Sequence, residues 1–122
     1  GTGSSLYDCT NYGDVISTTK GAVAGVICLV NKDEAVFENV ATYGRVITDR
    51  TPNSYCGAFF GQCNKKATFT NCVCGGAFGI YNNGDYQVTE LTADNYWDYI
   101  GQIGTNGVNA TKENIIFGTA SN

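Results

Sequence analysis

The chain has 122 residues, of which 43% are hydrophobic and 15% charged, with a net charge of −4 and no histidine. That length supports one domain that buries about two-thirds of its surface on folding. Lack of imidazole removes Ser-His-Asp and Cys-His catalysis and leaves zinc or copper only a thiolate cluster to bind, and seven basic against eleven acidic residues leave no basic face for nucleic acid.

The first residues, Gly1-Thr2-Gly3-Ser4-Ser5, include no Met and read as the remnant of a processed leader or a tag. One domain over 1–122 is expected, with 1–5 outside the fold argument. Val15 and Ile16 begin a short edge strand. Residues 22–30 form a continuous apolar run whose β-branched content predicts a buried strand. It is far too short to cross a bilayer as a helix, so no transmembrane segment is expected.

Asn31 can cap a helix, with Glu34 placed to reach back to it. Val36, Phe37, Val40 and Tyr43 then follow at helical spacing, and Gly44 stands where a left-handed stop is wanted. The pattern predicts a helix over 32–43. Residues 45–48 read as a strand, followed by a turn around Pro52, the only proline.

From 55 to 90 short strands alternate with Gly and Asn. Segments 56–61 (CGAFFG) and 74–79 (CGGAFG) resemble each other at a spacing of eighteen. Asn83-Gly84 suits a type I′ hairpin turn between the strands around 80–81 and 86–90. Thr92 can cap a second helix over 93–103. There Ala93, Tyr96, Tyr99, Ile100 and Ile103 make one stripe, with Asp94, Asp98 and Gln102 opposite. A last strand follows over 114–118. The expected fold class is α+β, a small antiparallel or mixed sheet carrying two helices. The alternative is an all-β barrel or sandwich in which 32–43 is two short strands.

Cys9, Cys28, Cys56, Cys63, Cys72 and Cys74 are an even set in a small, weakly charged chain. This predicts three disulfides pinning the fold, and an extracellular location. Each would contribute about 2–4 kcal/mol by restricting the unfolded chain. A bridge between Cys72 and Cys74 would be strained, so twelve of the fifteen pairings remain, with Cys63–Cys72 across a hairpin favoured among them. A thiolate metal site at 56, 63, 72 and 74 lacks the knuckle spacing of a zinc ribbon; no metal and no cofactor are expected.

Gly75-Gly76-Ala77-Phe78-Gly79 lacks the Lys-Ser/Thr of a phosphate loop, and small residues that let strands approach account for it. Asp94 with Asp98, or Glu34 with Glu38, could supply a glycosidase pair, although acids one helical turn apart are ordinarily a solvated face. The turn at 82–85 has calcium-loop composition without the spacing. Asn109-Ala110-Thr111 is the single glycosylation sequon. Trp97 falls at the edge of the second apolar stripe. There it either completes the core or, beside Asp94 and Asp98, anchors a partner.

Size, acidity, the processed start and the cysteines at 9, 28, 56, 63, 72 and 74 resemble the cysteine-rich secreted effectors of plant-pathogenic fungi. The closest resemblance is to the hypersensitive-response-inducing protein elicitors. It implies a non-enzymatic protein released into the plant apoplast, whose surface a host receptor or cell-surface component reads, triggering defence or cell death. Two alternatives belong to other classes. One is a small secreted glycoside hydrolase using paired carboxylates. The other is a carbohydrate-binding module, which needs coplanar exposed aromatics among Tyr7, Tyr12, Tyr55, Tyr81, Tyr86 and Trp97.

Overall fold

The computed structural model describes residues 5–17, 23–30, 35–49, 51, 56–63, 67–103 and 110–119. Its chain winds as a coil of short strands that pair in parallel from one turn to the next, apart from one antiparallel hairpin. The first turn carries β1 (Ser5–Tyr7), β2 (Thr10–Asn11), β3 (Val15–Ser17), β4 (Val23–Ala24) and β5 (Ile27–Val30). The second carries β6 (Ala35–Glu38), β7 (Ala41–Thr42), β8 (Arg45–Thr48), β9 (Cys56–Gly57) and β10 (Phe60–Cys63). The third carries β11 (Ala67–Thr70), β12 (Cys72–Cys74), the hairpin β13 (Ala77–Asn82) and β14 (Asp85–Glu90), and β15 (Gln102–Ile103). A fourth begins with β16 (Ile115–Phe117).

Register sets the repeat. Leu6 lies against Phe37 and Phe37 against Phe69, a step of 31 and then 32 residues. Side chains in a strand alternate in and out. In β6, Ala35 and Phe37 are therefore buried while Val36 and Glu38 are half-buried outside, and β11 repeats the pattern. Like residues stack along the coil axis. The rings of Phe37 and Phe69 lie 5.0 Å apart and nearly parallel, and Phe59 and Phe60 pack on Phe69 from the opposite wall.

One corner is built by the same device on each turn. Asp8, Asn39 and Asn71 all adopt left-handed backbone, with φ of 55°, 57° and 52°, a conformation that short polar side chains tolerate best after glycine. Their side chains form a ladder: Asn71 Nδ2 donates to Asn39 Oδ1 at 2.6 Å, and Asn39 Nδ2 donates to Asp8 Oδ1 at 2.9 Å. At the next corner the turns touch so closely that a Cβ on Gly44 would collide with the Gly13 carbonyl.

This architecture corrects the α+β expectation. Within 32–43, residues 32–34 lie outside the described residues, and the rest are two strands separated by the Asn39 corner. Val36, Phe37, Val40 and Tyr43 mimic helical spacing because that corner resets the in–out alternation, so that Phe37 and Val40 both face the core. The all-β alternative expected two short strands here; its barrel or sandwich is replaced by a parallel coil. Over 93–103 the helical part is a single 3-10 turn at Tyr96–Tyr99, followed by Gly101 at φ 144° and by β15. Its side chains serve the coil: Tyr99 stacks on Phe78 at 5.2 Å, and the Tyr96 hydroxyl donates to the Ile115 carbonyl at 2.9 Å. No α-helix occurs among the described residues. The resemblance at spacing eighteen is not structural, since Cys56 pairs with Val23 whereas Cys74 pairs with Thr42. The hairpin does form, antiparallel and in register from Ala77–Glu90 to Asn82–Asp85, with positive φ at Asn83 and Gly84.

The disulfide frame is likewise corrected. Cys9, Cys72 and Cys74 carry free thiols, so three bridges cannot form and the Cys63–Cys72 pairing is absent. Geometry gives the reason. By register Cys9 and Cys72 occupy one column with Val40 between them, and two strand spacings come to about 9.6 Å, beyond disulfide reach. Cys72 and Cys74 point inward as small apolar fillers, both fully buried. The side chains of Cys28 and Cys63 lie outside the described residues.

The ladder makes a stability prediction. Asn39→Gly removes the amide bonds while keeping the backbone relaxed, whereas Asn39→Ala also forces a left-handed alanine, at a further cost of about 1–2 kcal/mol. Urea unfolding should rank wild type above Asn39→Gly above Asn39→Ala; equal midpoints for the two variants would remove the corner from the account.

Candidate functional site

The residues singled out from the sequence do not converge. Asp94 and Asp98 are exposed on the loop that follows the hairpin. Thr92 does cap there, but it caps a tight turn: its Oγ1 accepts from the Asn95 N–H at 3.2 Å, and Asn95 Oδ1 accepts from the Thr92 N–H at 2.7 Å. Trp97 is half-buried, packs on the core from its edge and meets Tyr96 edge-on at 5.9 Å. Glu38 flanks the Asn39 corner, and its carbonyl accepts from the Asp8 N–H. Glu34, Tyr55 and Asn109 lie outside the described residues.

Among the described residues no three cysteine or acidic side chains gather where they could hold a metal. One cavity, of about 200 Å³ at the hairpin, is lined by Ile80, Asn82, Asp85 and Gln87. It offers a single carboxylate, where glycoside hydrolysis needs two facing groups. Coplanar aromatics are not found in the described pairs. Tyr12 and Tyr43 stack face to face at 5.5 Å, and Tyr81 and Tyr86 are tilted by 52°.

A second cavity, of about 220 Å³, is lined by Leu6, Cys9, Asn11, Gly25, Val26, Val40 and Ala41. Most of these belong to the first turn. Burial along the inner columns explains it: Phe37 and Phe69 are each 1% exposed, Val40 1% and Phe59 0%, while Leu6, Cys9 and Val26, one level earlier in the same columns, are only half-buried. β1, β2 and β3 are the outermost strands of their sheets at this end. Among the described residues the core is thus open at this end, with parallel strand edges around it.

Three hydrogen-bonded groups stand on this first turn, Asn11 and Cys9 at the cavity and Asp14 beyond it. Asn11 is fixed by its amide, which donates to the carbonyls of Gly13 and Gly25 and to Thr42 Oγ1. Asp14 holds Arg45 of the next turn through Oδ2, at 2.8 Å from Nη2, and its hydrogen bonds to Arg45 keep its carboxyl below the ordinary range. The Cys9 thiol donates to the Tyr7 carbonyl at 3.1 Å.

Sequence reasoning missed this site because it missed the repeat. Tyr12-Gly13-Asp14-Val15-Ile16 returns as Tyr43-Gly44-Arg45-Val46-Ile47, 31 residues later. That spacing would have stacked the two segments and exposed the first as an end. No helix among the described residues is long and apolar enough to cross a membrane. Comparison of the chain with protein families, with curated proteins and with solved structures gives no match.

The thiols give a check on the interior. Burial pushes the Cys74 thiol up to about 12 and raises that of Cys72 as well. Both are thus held neutral in the folded chain; the contribution of Cys74 to stability is complete below pH 9 and is lost as pH rises from there toward 12, at up to about 1.4 kcal/mol per pH unit, and that of Cys72 is lost in the same direction. Native alkylation at pH 8 should leave both unmodified by mass spectrometry, and Cys74→Ala should flatten the alkaline loss of stability. Modification of Cys74 before unfolding would contradict the buried placement.

Proposed function

We propose that this chain is a non-catalytic interaction module that takes up an extended segment of a partner polypeptide at the open end of its coil. The observation that carries this reading is the fall in burial along the inner columns at the first turn, where parallel strand edges border an apolar cavity. An added strand would satisfy edge N–H and C=O groups and place alternate side chains into the cavity, which is how strand addition combines affinity with specificity.

The narrower reading, a secreted elicitor recognised by a plant receptor or cell-surface component, would make that partner a host protein and place the chain outside the cell. Size and acidity support it. The three-disulfide frame that also suggested it does not form, since Cys9, Cys72 and Cys74 carry free thiols. Leaf infiltration with the purified chain tests that reading, with cell death or an oxidative burst as the expected response.

Strand addition is tested with the chain's own second-turn segment. A synthetic peptide of residues 35–44 natively pairs against 5–11, and the free peptide can add to the outer side of the same strands. Titration followed by amide NMR should shift resonances of residues 5–11 and 25–26, and Leu6→Lys should weaken the binding by about tenfold or more, the effect of placing a charge in an apolar seat. No binding at millimolar peptide would sink the reading.

A further inference from the structure

We infer that Asp8 makes the open end selective for a partner strand that carries a Lys or Arg two residues after a large apolar residue. This rests on the strand-accepting reading and names the chemistry of the strand. In the corner ladder each amide donates toward the first turn, Asn71 to Asn39 and Asn39 to Asp8. Asparagine can accept on one side and donate on the other; a carboxylate only accepts. The ladder therefore ends in an exposed acid that can be extended only by a donor. A cationic donor to a carboxylate forms the stronger, charge-assisted bond, and the net charge of −4 favours its approach.

Register fixes the rest of the pattern. In the second turn Phe37 lies over Leu6 and Asn39 over Asp8. A strand added before the first turn in the same register places one residue over Leu6 and, two positions on, another over Asp8. Leucine stands at this level where Phe37 and Phe69 stand below, and the cavity beside it accepts a large apolar side chain. A second copy stacked end to end is the wrong occupant. The last level of its coil at this corner is Asn114, in register with Asn71 beside the Cys72–Ile115 pair, and it brings no cation to the Asp8 carboxylate. The occupant is thus a strand from a different polypeptide.

The test compares two peptides of residues 35–44, one with Asn39→Lys and one with Asn39→Asp, on the wild-type chain and on Asp8→Asn. Asparagine already occupies this corner at 39 and 71, so the variant keeps the backbone conformation. The lysine peptide should bind the wild type about tenfold more tightly than the aspartate peptide at low salt. The gap should close in Asp8→Asn and shrink at about 0.5 M salt. Equal binding of the two peptides to the wild type would overturn the selectivity and leave strand addition standing. Binding of neither would overturn both. End-to-end oligomers of the wild type in light scattering would overturn the exclusion of a second copy.

Discussion

The structure depends on a left-handed corner that residues other than glycine rarely make. Each turn of the coil must change direction between its first two strands, and it does so through a left-handed Asp or Asn whose side chain then binds its counterpart one turn away. The backbone strain of that conformation and the ladder that offsets it come from the same residue type. Once the corner is fixed in register, the phenylalanines fall into one column. The glycines at 13 and 44 meet at the next corner, and Asp14 reaches Arg45 across the turns. A slip of one residue would turn every inward side chain outward, so the ladder and the aromatic column enforce each other.

What was legible in the sequence was local. The Asn83-Gly84 hairpin, the strand at Arg45–Thr48 and the last strand are specified by their own residues, and the structure places strands there. What misled was also local. Val36, Phe37, Val40 and Tyr43 satisfy helical spacing, yet the same spacing arises when a strand turns a corner and resumes out of phase. Thr92 is a sound cap, but the segment after it is claimed by Phe78 and Ile115, which need Tyr99 and Tyr96 beside them. Neither claim can be seen inside a window of a dozen residues.

The cysteines carry the same lesson at longer range. Their even number argues for bridges, but their positions in the coil decide otherwise. Cys9 and Cys72 share a column two levels apart, and Cys72 and Cys74 are interior filler in a strand buried on both sides by neighbouring turns. The long-range repeat of Tyr-Gly-x-Val-Ile carried that information, and with it the open end. The candidate site was thus present in the sequence as a period and not as a motif, which is why Trp97 and the nearby acids drew attention that the geometry does not support.

The hairpin gives the molecule a direction. β14 runs antiparallel to β13 on the side of its sheet away from the first turn, so that sheet cannot accept another parallel level there, and its outermost strand carries Asp85 and Glu90. The opposite face of the same coil has only parallel strands at its boundary. At that sheet the stack therefore has a closed pole and a receptive pole, like a socket. Assemblies built on it would be ordered by which pole meets which partner, and their length would be set by the partner rather than by the coil.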